Sequence, residues 1–278
     1  MDKIDYRQEI IKKIEVPVSQ LEVKAGSVNT AYLSAGEGET VICLHGGGGG
    51  AVAWYPTISV LAEKYHVVVP DLVGYGETDK PNASYDRPYY SGWLKSFMLA
   101  LGISKTHIVG LSLGGAITLQ FTLDNPEMVN KLVLVDSGAL GARPSIGSFV
   151  AMWWLNAFPS ELANKFMLRY LLANPKNGNA NYSNYSLQVL NKPGGKKAFI
   201  QGKGAAMSAI PEENLKNIKN QTLVIWGRND NLFSFTYGES AADKIPNAKL
   251  HIIENAGHLP MIDQPEIFNK SLLNFLGQ

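Results

Sequence analysis

Cysteine is nearly absent. The single Cys43 excludes an internal disulfide, so no part of the fold rests on a covalent cross-link. It lies in the apolar run Val41-Ile42-Cys43-Leu44, which reads as a buried strand rather than a reactive thiol. Long hydrophobic runs are also missing: no uncharged apolar stretch reaches the roughly 18–20 residues that a membrane helix needs. Met1 to Val16 is charged throughout and lacks the apolar core of a secretory signal, so the expectation is a cytoplasmic protein with no membrane partner. Charge of one sign is not in excess, with 25 Lys and Arg against 24 Asp and Glu, and no nucleic-acid partner is expected. No His, Cys and carboxylate cluster stands at metal-ligand spacing in the sequence, which predicts no metal and no cofactor. There is no internal repeat.

What is present suits a chain with a sizeable core: 278 residues, 45% of them apolar. Gln20–Lys24 and Ser27–Ser34 alternate as a hairpin around Ala25-Gly26. Strands are then predicted at Thr40–Leu44, His66–Val69, Thr106–Val109 and Lys131–Val135, separated by helices at Val52–Lys64, Pro88–Leu101 and Gly114–Asp124. Such alternation predicts an α/β fold, a mostly parallel sheet with helices on both faces. From Gly138 to about Lys219 there is no strand run, only helical periodicity, aromatics such as Trp153 and Trp154, and a soft Asn-, Gly- and Ser-rich stretch at Asn174–Asn184. Alternation resumes with Thr222–Trp226, Gly238–Lys244, Lys249–Ile253 and a closing helix, Pro265–Leu276. The predicted organisation is a core domain from 1–137 and 220–278, with a helical cap at 138–219 inserted after the strand ending near Val135.

Chemistry concentrates at predicted strand ends. In Gly110-Leu111-Ser112-Leu113-Gly114 the glycines permit a sharp strand-to-helix turn that exposes the Ser112 hydroxyl at a helix N-terminus. A serine hydroxyl needs a base, and the base needs an acid to orient it. His258, in Asn255-Ala256-Gly257-His258 after a strand, is the candidate base; His45, His66, His107 and His251 sit within or beside strands and read as structural or surface residues. Asp230, after the strand that resumes the sheet, is the candidate acid, with Asp136 at the end of the preceding strand as its rival; Asp71 reads as structural. The tract His45-Gly46-Gly47-Gly48-Gly49-Gly50 has no Gly-Lys-Ser/Thr ending and so is not a phosphate loop. It fits an oxyanion site, with the backbone N–H groups of Gly47 and Leu113 as the two donors.

Taken in order, HGGGGG at 45–50, DLVGYGETDKP at 71–81, GLSLGG at 110–115, WGRND at 226–230 and NAGHLP at 255–260 resemble the α/β-hydrolase superfamily over roughly residues 20–277. HGGGGGAVAW, from His45 to Trp54, is further similar to the meta-cleavage-product hydrolases, which cut carbon–carbon bonds in ring-fission products. Those enzymes resemble one another in a tryptophan after the catalytic histidine, in an asparagine past the glycine-loop tryptophan, and in a cap arginine. Here Leu259 and Tyr55 stand at the first two places, and residues 177–190 contain no arginine, Arg169 being the nearest. The resemblance therefore implies, as first expectation, a carboxylic ester hydrolase acting through an acyl-enzyme on small to medium hydrophobic esters. Trp153, Trp154 and Leu259 are its candidate substrate-binding residues. Carbon–carbon hydrolysis of ring-fission products is the alternative, cofactor-free haloperoxidase activity a minor one, and a non-catalytic binding protein another. The expected assembly is a monomer or homodimer.

Overall fold

A computed structural model describes residues 4–278; Met1–Lys3, the start of the predicted core domain, lie outside the described residues. Among the described residues eight strands form one sheet: β1 (Ser19–Ala25), β2 (Val28–Ala35), β3 (Thr40–Leu44), β4 (His66–Pro70), β5 (Thr106–Leu111), β6 (Val129–Val135), β7 (Gln221–Gly227) and β8 (Ala248–Ile253). Their spatial order is β1-β2-β4-β3-β5-β6-β7-β8. The β1–β2 hairpin is antiparallel and pairs antiparallel to β4, while β4 through β8 run parallel. The hairpin turns at Gly26, whose φ of +63° is the left-handed conformation glycine tolerates best.

Side chains along a strand alternate between faces, and two apolar cores result. Val41, Cys43 and Val109 join the core made with helices α1 (Tyr6–Ile11), α2 (Tyr55–Ala62) and α12 (Pro265–Leu276). Ile42, Leu44 and Ile108 join the opposite core, made with α3 (Arg87–Ala100), α4 (Leu113–Asp124) and α10 (Thr236–Lys244). Cys43 is wholly buried, and burial pushes its thiol well above the ordinary range. Because β3 lies between β4 and β5, the chain leaves β3 toward one side of the sheet and leaves β5 toward the other. In open α/β sheets ligands bind in the crevice at such a reversal of direction, here at the carboxyl ends of β3 and β5.

Between β6 and β7 the chain contains no strand; it forms α5 (Ile146–Ala157), α6 (Glu161–Leu171), α7 (Ala180–Asn191), α8 (Lys197–Met207) and α9 (Glu212–Leu215). The stretch Asn174–Asn184, expected to be soft, holds the start of α7. Asn179 caps that helix, its side-chain oxygen accepting from the amides of Asn181 (2.9 Å) and Tyr182 (3.3 Å). The helix predicted over Val52–Lys64 is a 3₁₀ turn at Ala51–Trp54 followed by α2, because Pro56 belongs in a first helical turn and not inside one. The short α11 (Pro260–Asp263) follows β8 and leads into α12.

The small helix α1 was not foreseen, and it carries a buried cation. Arg7 donates to Asp71 (2.9 Å) and to the Tyr185 hydroxyl on α7 (2.9 Å), tying the N-terminal helix, the core and the insertion together. Burial works against the guanidinium charge, but Asp71 and Tyr185 more than restore it, and the net pKa is raised. Asp71 also accepts from the Ala51 and Glu77 amides, so its role is structural. Arg7→Leu strands the Asp71 carboxylate without its cation, and a broken buried pair costs about 3–5 kcal/mol. The expected result is a lower urea midpoint with an unchanged slope; an unchanged midpoint refutes it.

Candidate active site

Ser112 stands between the last residue of β5 and the first of α4 with φ 53° and ψ −112°, a conformation that costs energy in a non-glycine residue. Its neighbours hold it there. Its amide donates to the Val135 carbonyl (2.9 Å), and its carbonyl accepts from the amides of Gly138 (2.9 Å) and Ala116 (3.1 Å). The flanking glycines are sterically required. A Cβ on Gly110 would collide with the Gly114 carbonyl and the Thr118 hydroxyl, and one on Gly114 with the Leu44 carbonyl at the end of β3. The hydroxyl thus sits at the N-terminus of a three-turn helix, where the backbone dipole favours developing negative charge.

His258 is buried in the loop after β8, and its Nδ1 lies 2.7 Å from Asp230 Oδ2. Asp230 Oδ1 accepts from the amides of Leu232 (2.7 Å) and Phe233 (2.9 Å). Since a carboxylate can only accept, Nδ1 carries the proton and Nε2 keeps its lone pair. Nε2 is buried without a partner among the described residues, while the imidazole edge packs on Phe233, ring centres 5.2 Å apart. Asp136, the rival acid, is fully buried at the end of β6; its Oδ1 accepts from the Gly227 amide (3.0 Å) and its Oδ2 has no hydrogen-bond partner among the described residues. Burial first, and the Asp230 carboxylate second, push its pKa well above the carboxylate range, which favours its protonated form. Atoms of Asp136, Asp230 and His258 lie within 4.8 Å of one another, a spacing open to a metal ion. An ion there would have to displace the Nδ1–H···Oδ2 bond, and the proton on Nδ1 already serves Asp230.

The glycine tract folds back over Ser112. A Cβ on Gly46 would stand 3.2 Å from Ser112 Cβ, and one on Gly47 would stand 4.0 Å from a Leu113 methyl and 3.7 Å from the Tyr75 hydroxyl. The Gly47 and Leu113 amides donate to no other group among the described residues. His45 pins the tract: its Nδ1 bonds the Gly46 carbonyl (2.7 Å) and its Nε2 accepts from the Leu72 amide (2.9 Å). Burial holds this histidine neutral by lowering its pKa. His66 and His251 bond serines, and His107 faces Glu39, away from the crevice.

Leu259 is buried beside His258, its amide on the Leu171 carbonyl (3.1 Å). The two tryptophans part: Trp154 packs on Phe166 (5.7 Å), whereas Trp153 points outward, 56% exposed. Arg169 is exposed too. Two residues escaped the sequence reading. Tyr75, in the loop after β4, brings a buried phenol to Gly47; burial raises its pKa, so it stays a proton donor. Asp263 clamps the histidine loop to the insertion, accepting from the amides of Gly257 (2.9 Å) and Ala173 (2.8 Å) and from the Asn177 side chain (2.8 Å). Its partners in the insertion lie 86–90 positions away in the chain, and no local pattern signals that.

The strained serine elbow with its glycine-rich loop, and the buried histidine–aspartate pair, all follow carboxyl ends of parallel strands of one sheet, and no hydrogen bond joins Ser112 to His258 Nε2 among the described residues. The chain belongs to the α/β-hydrolase fold family, which it matches over residues 39–265. It is 34% identical to a 2-hydroxy-6-oxo-6-phenylhexa-2,4-dienoate hydrolase of Burkholderia cepacia, over 87% of this chain and 89% of that one. Among solved structures, a meta-cleavage product hydrolase from Pseudomonas fluorescens superposes with a TM-score of 0.83 at 28% identity, covering 95% of this chain and 98% of the other. A carboxylesterase from Bacillus subtilis superposes with a TM-score of 0.90 at 20% identity, covering 98% and 95%, a likeness of fold.

Proposed function

We propose that the protein hydrolyses a carbon–carbon bond in a ring-fission dienoate, with Ser112 as nucleophile, His258 as base and then acid, and Asp230 as the acid that orients it. The observation that carries this reading over ester hydrolysis is the near full-length relationship to the dienoate hydrolase of Burkholderia cepacia. Ser112 Oγ adds to the ketone carbon while His258 Nε2 takes its proton, and the Gly47 and Leu113 amides receive the oxyanion. The substrate reacts as its keto tautomer, the enol proton having moved to the carbon beside the ketone. Collapse of the tetrahedral adduct breaks the bond between the ketone carbon and that carbon. The electron pair passes into a conjugated dienolate, which takes the proton back from His258. Water, deprotonated by His258, then releases the acid from Ser112. No step calls on a metal or cofactor. Neutral donors suit the enolate and carboxylate oxygens of such a substrate: Tyr75 at Gly47, and Tyr182, whose hydroxyl would lie 2.9 Å from a Cβ on Gly49. The helices over 138–219 would act as the cap that closes the crevice.

The first expectation from sequence, an ester hydrolase, keeps one support: Leu259 is buried beside His258, and both arginines of the 138–190 stretch, Arg143 and Arg169, are exposed and unassigned to a substrate carboxylate. Burying a carboxylate without partners costs several kcal/mol, which favours a neutral ester. The two readings separate in kcat/KM for 2-hydroxy-6-oxo-6-phenylhexa-2,4-dienoate against p-nitrophenyl butyrate. The dienoate is expected to be faster by at least about tenfold, or about 1.4 kcal/mol of transition-state binding. An ester that outruns it overturns the carbon–carbon reading while leaving Ser112, His258 and Asp230 in their roles.

A further inference from the structure

The outward face of the helical insertion takes no part in the hydrolytic site. On α5, Ile146, Phe149, Val150 and Trp153 recur at the spacing that places residues on one helix face, and all four are exposed, Ile146 by 86% and Phe149 by 61%. The other face of α5 buries Ser148 and Ala151. Phe158, stacked edge-on against Trp153 at 6.1 Å, and Leu162 at the start of α6 extend the ridge. Scattered exposed apolar residues are ordinary, but a continuous ridge marks a surface that meets something.

Charge says what it meets. Residues 138–219 hold ten Lys and Arg against three Glu and no Asp, while the rest of the chain holds 15 against 21 acids. The near-zero net charge conceals a basic insertion on an acidic core. The cations frame the ridge. Exposed Arg143 lies three residues before Ile146 in the segment leading into α5, and exposed Lys165 and Arg169 follow Leu162 by one and two turns of α6. Lys196 Nζ bonds the Ala157 carbonyl (3.2 Å) at the other end of α5, beside exposed Lys197 and Ile200. None of these five cations forms an ion pair among the described residues. Two of the three acids, Glu212 and Glu213, lie on α9, where Glu212 is paired with Lys244.

We propose that this face docks on an anionic lipid surface, with Ile146, Phe149, Val150 and Trp153 entering the headgroup–acyl boundary and the surrounding cations meeting the lipid charge. An apolar aromatic row framed by basic residues is the pattern of interfacial binding. A second copy is the poorer occupant, because two such faces would set like charge against like. The sequence expectation of no membrane partner rested on the lack of a spanning segment. Among the described residues no helix is long and apolar enough to cross a membrane, and surface docking needs none.

The test is co-sedimentation of the full chain with large vesicles of phosphatidylcholine alone and of equal parts phosphatidylcholine and phosphatidylglycerol. Partitioning onto the anionic vesicles is expected to be at least about tenfold stronger at low salt and to fall as salt screens it. The double substitution Ile146→Ser with Phe149→Ser should lower that partitioning by at least about tenfold and leave kcat/KM on a dissolved substrate unchanged. Lys196→Glu with Lys197→Glu should remove the preference for anionic lipid, a second route if the serine variant folds poorly. Equal partitioning of all three proteins, or none by the native chain, overturns the proposal. A dimer, seen by analytical ultracentrifugation without lipid and dissolved by the serine substitutions, also overturns it and assigns the ridge to a second copy.

Discussion

Ser112→Ala is expected to remove turnover by about 10⁶-fold, the scale on which a serine hydrolase suffers the loss of its nucleophile, while the protein melts as before. The two halves of this result have separate causes. The hydroxyl makes no hydrogen bond to another protein group among the described residues, so its removal leaves no orphaned partner. The backbone strain at φ 53° is shared by alanine and serine and is held by the bonds to Val135, Gly138 and Ala116, which the substitution spares. What disappears is the one group at the helix N-terminus able to form a covalent intermediate. An organophosphate should label the native chain at Ser112 alone, read by peptide mass spectrometry, and should leave the alanine variant unlabelled. Label at another side chain, or turnover that survives the substitution, would give the nucleophile's role to a different residue.

The parts of this molecule that could be read from sequence are those whose cause is local. The strands from β3 to β7 declare themselves because buried parallel strands are short apolar runs, Val67-Val68-Val69 and Leu132-Val133-Leu134-Val135 among them. The serine elbow is legible because its steric demands fall on Gly110 and Gly114, two positions either side. The misses have non-local causes. Helix α1 spans six residues, too few to show a period, and its buried Arg7 is explained by Asp71, 64 positions away, and Tyr185, 178 away. Helix α7 has weak intrinsic preference but gains its cap at Asn179 and buries Tyr185, Val189 and Leu190. Trp153 and Trp154 look alike in the sequence, and only the packing of α5 on α6 sends one outward and the other onto Phe166. Substrate choice is the least legible property, because ester and carbon–carbon hydrolysis share the same serine and histidine. The basic charge of the insertion was open to counting, but an opposite excess in the core cancelled it in the total.

The second large effect distinguishes the two buried aspartates, and hydrogen bonding decides its direction. In Asp230→Asn the amides of Leu232 and Phe233 still need an acceptor where Oδ1 stood, so the amide oxygen takes that place and the NH₂ faces His258. Nδ1 must then accept, the proton moves to Nε2, and the histidine can no longer take the proton of Ser112. The expected loss in kcat is about 10⁴-fold, as when a triad acid becomes an amide in a serine protease. In Asp136→Asn the amide oxygen keeps the bond from Gly227 and the NH₂ stands where the neutral acid held its proton, so activity should change by less than about tenfold. Stability should move the other way. The fold raises the pKa of Asp136 above the ordinary value of about 3.9 near which it ionises in the unfolded chain. Between that pH and its raised folded pKa the folded state binds the extra proton, so stability falls as pH rises. Asparagine has no proton to lose. The variant should therefore melt above the native protein at pH 7 and no higher at pH 3, where both states of Asp136 are neutral. Equal melting at both pH values would mean that Asp136 is ionised in the fold. A 10⁴-fold loss in Asp136→Asn with a small loss in Asp230→Asn would transfer the acid's role to the end of β6.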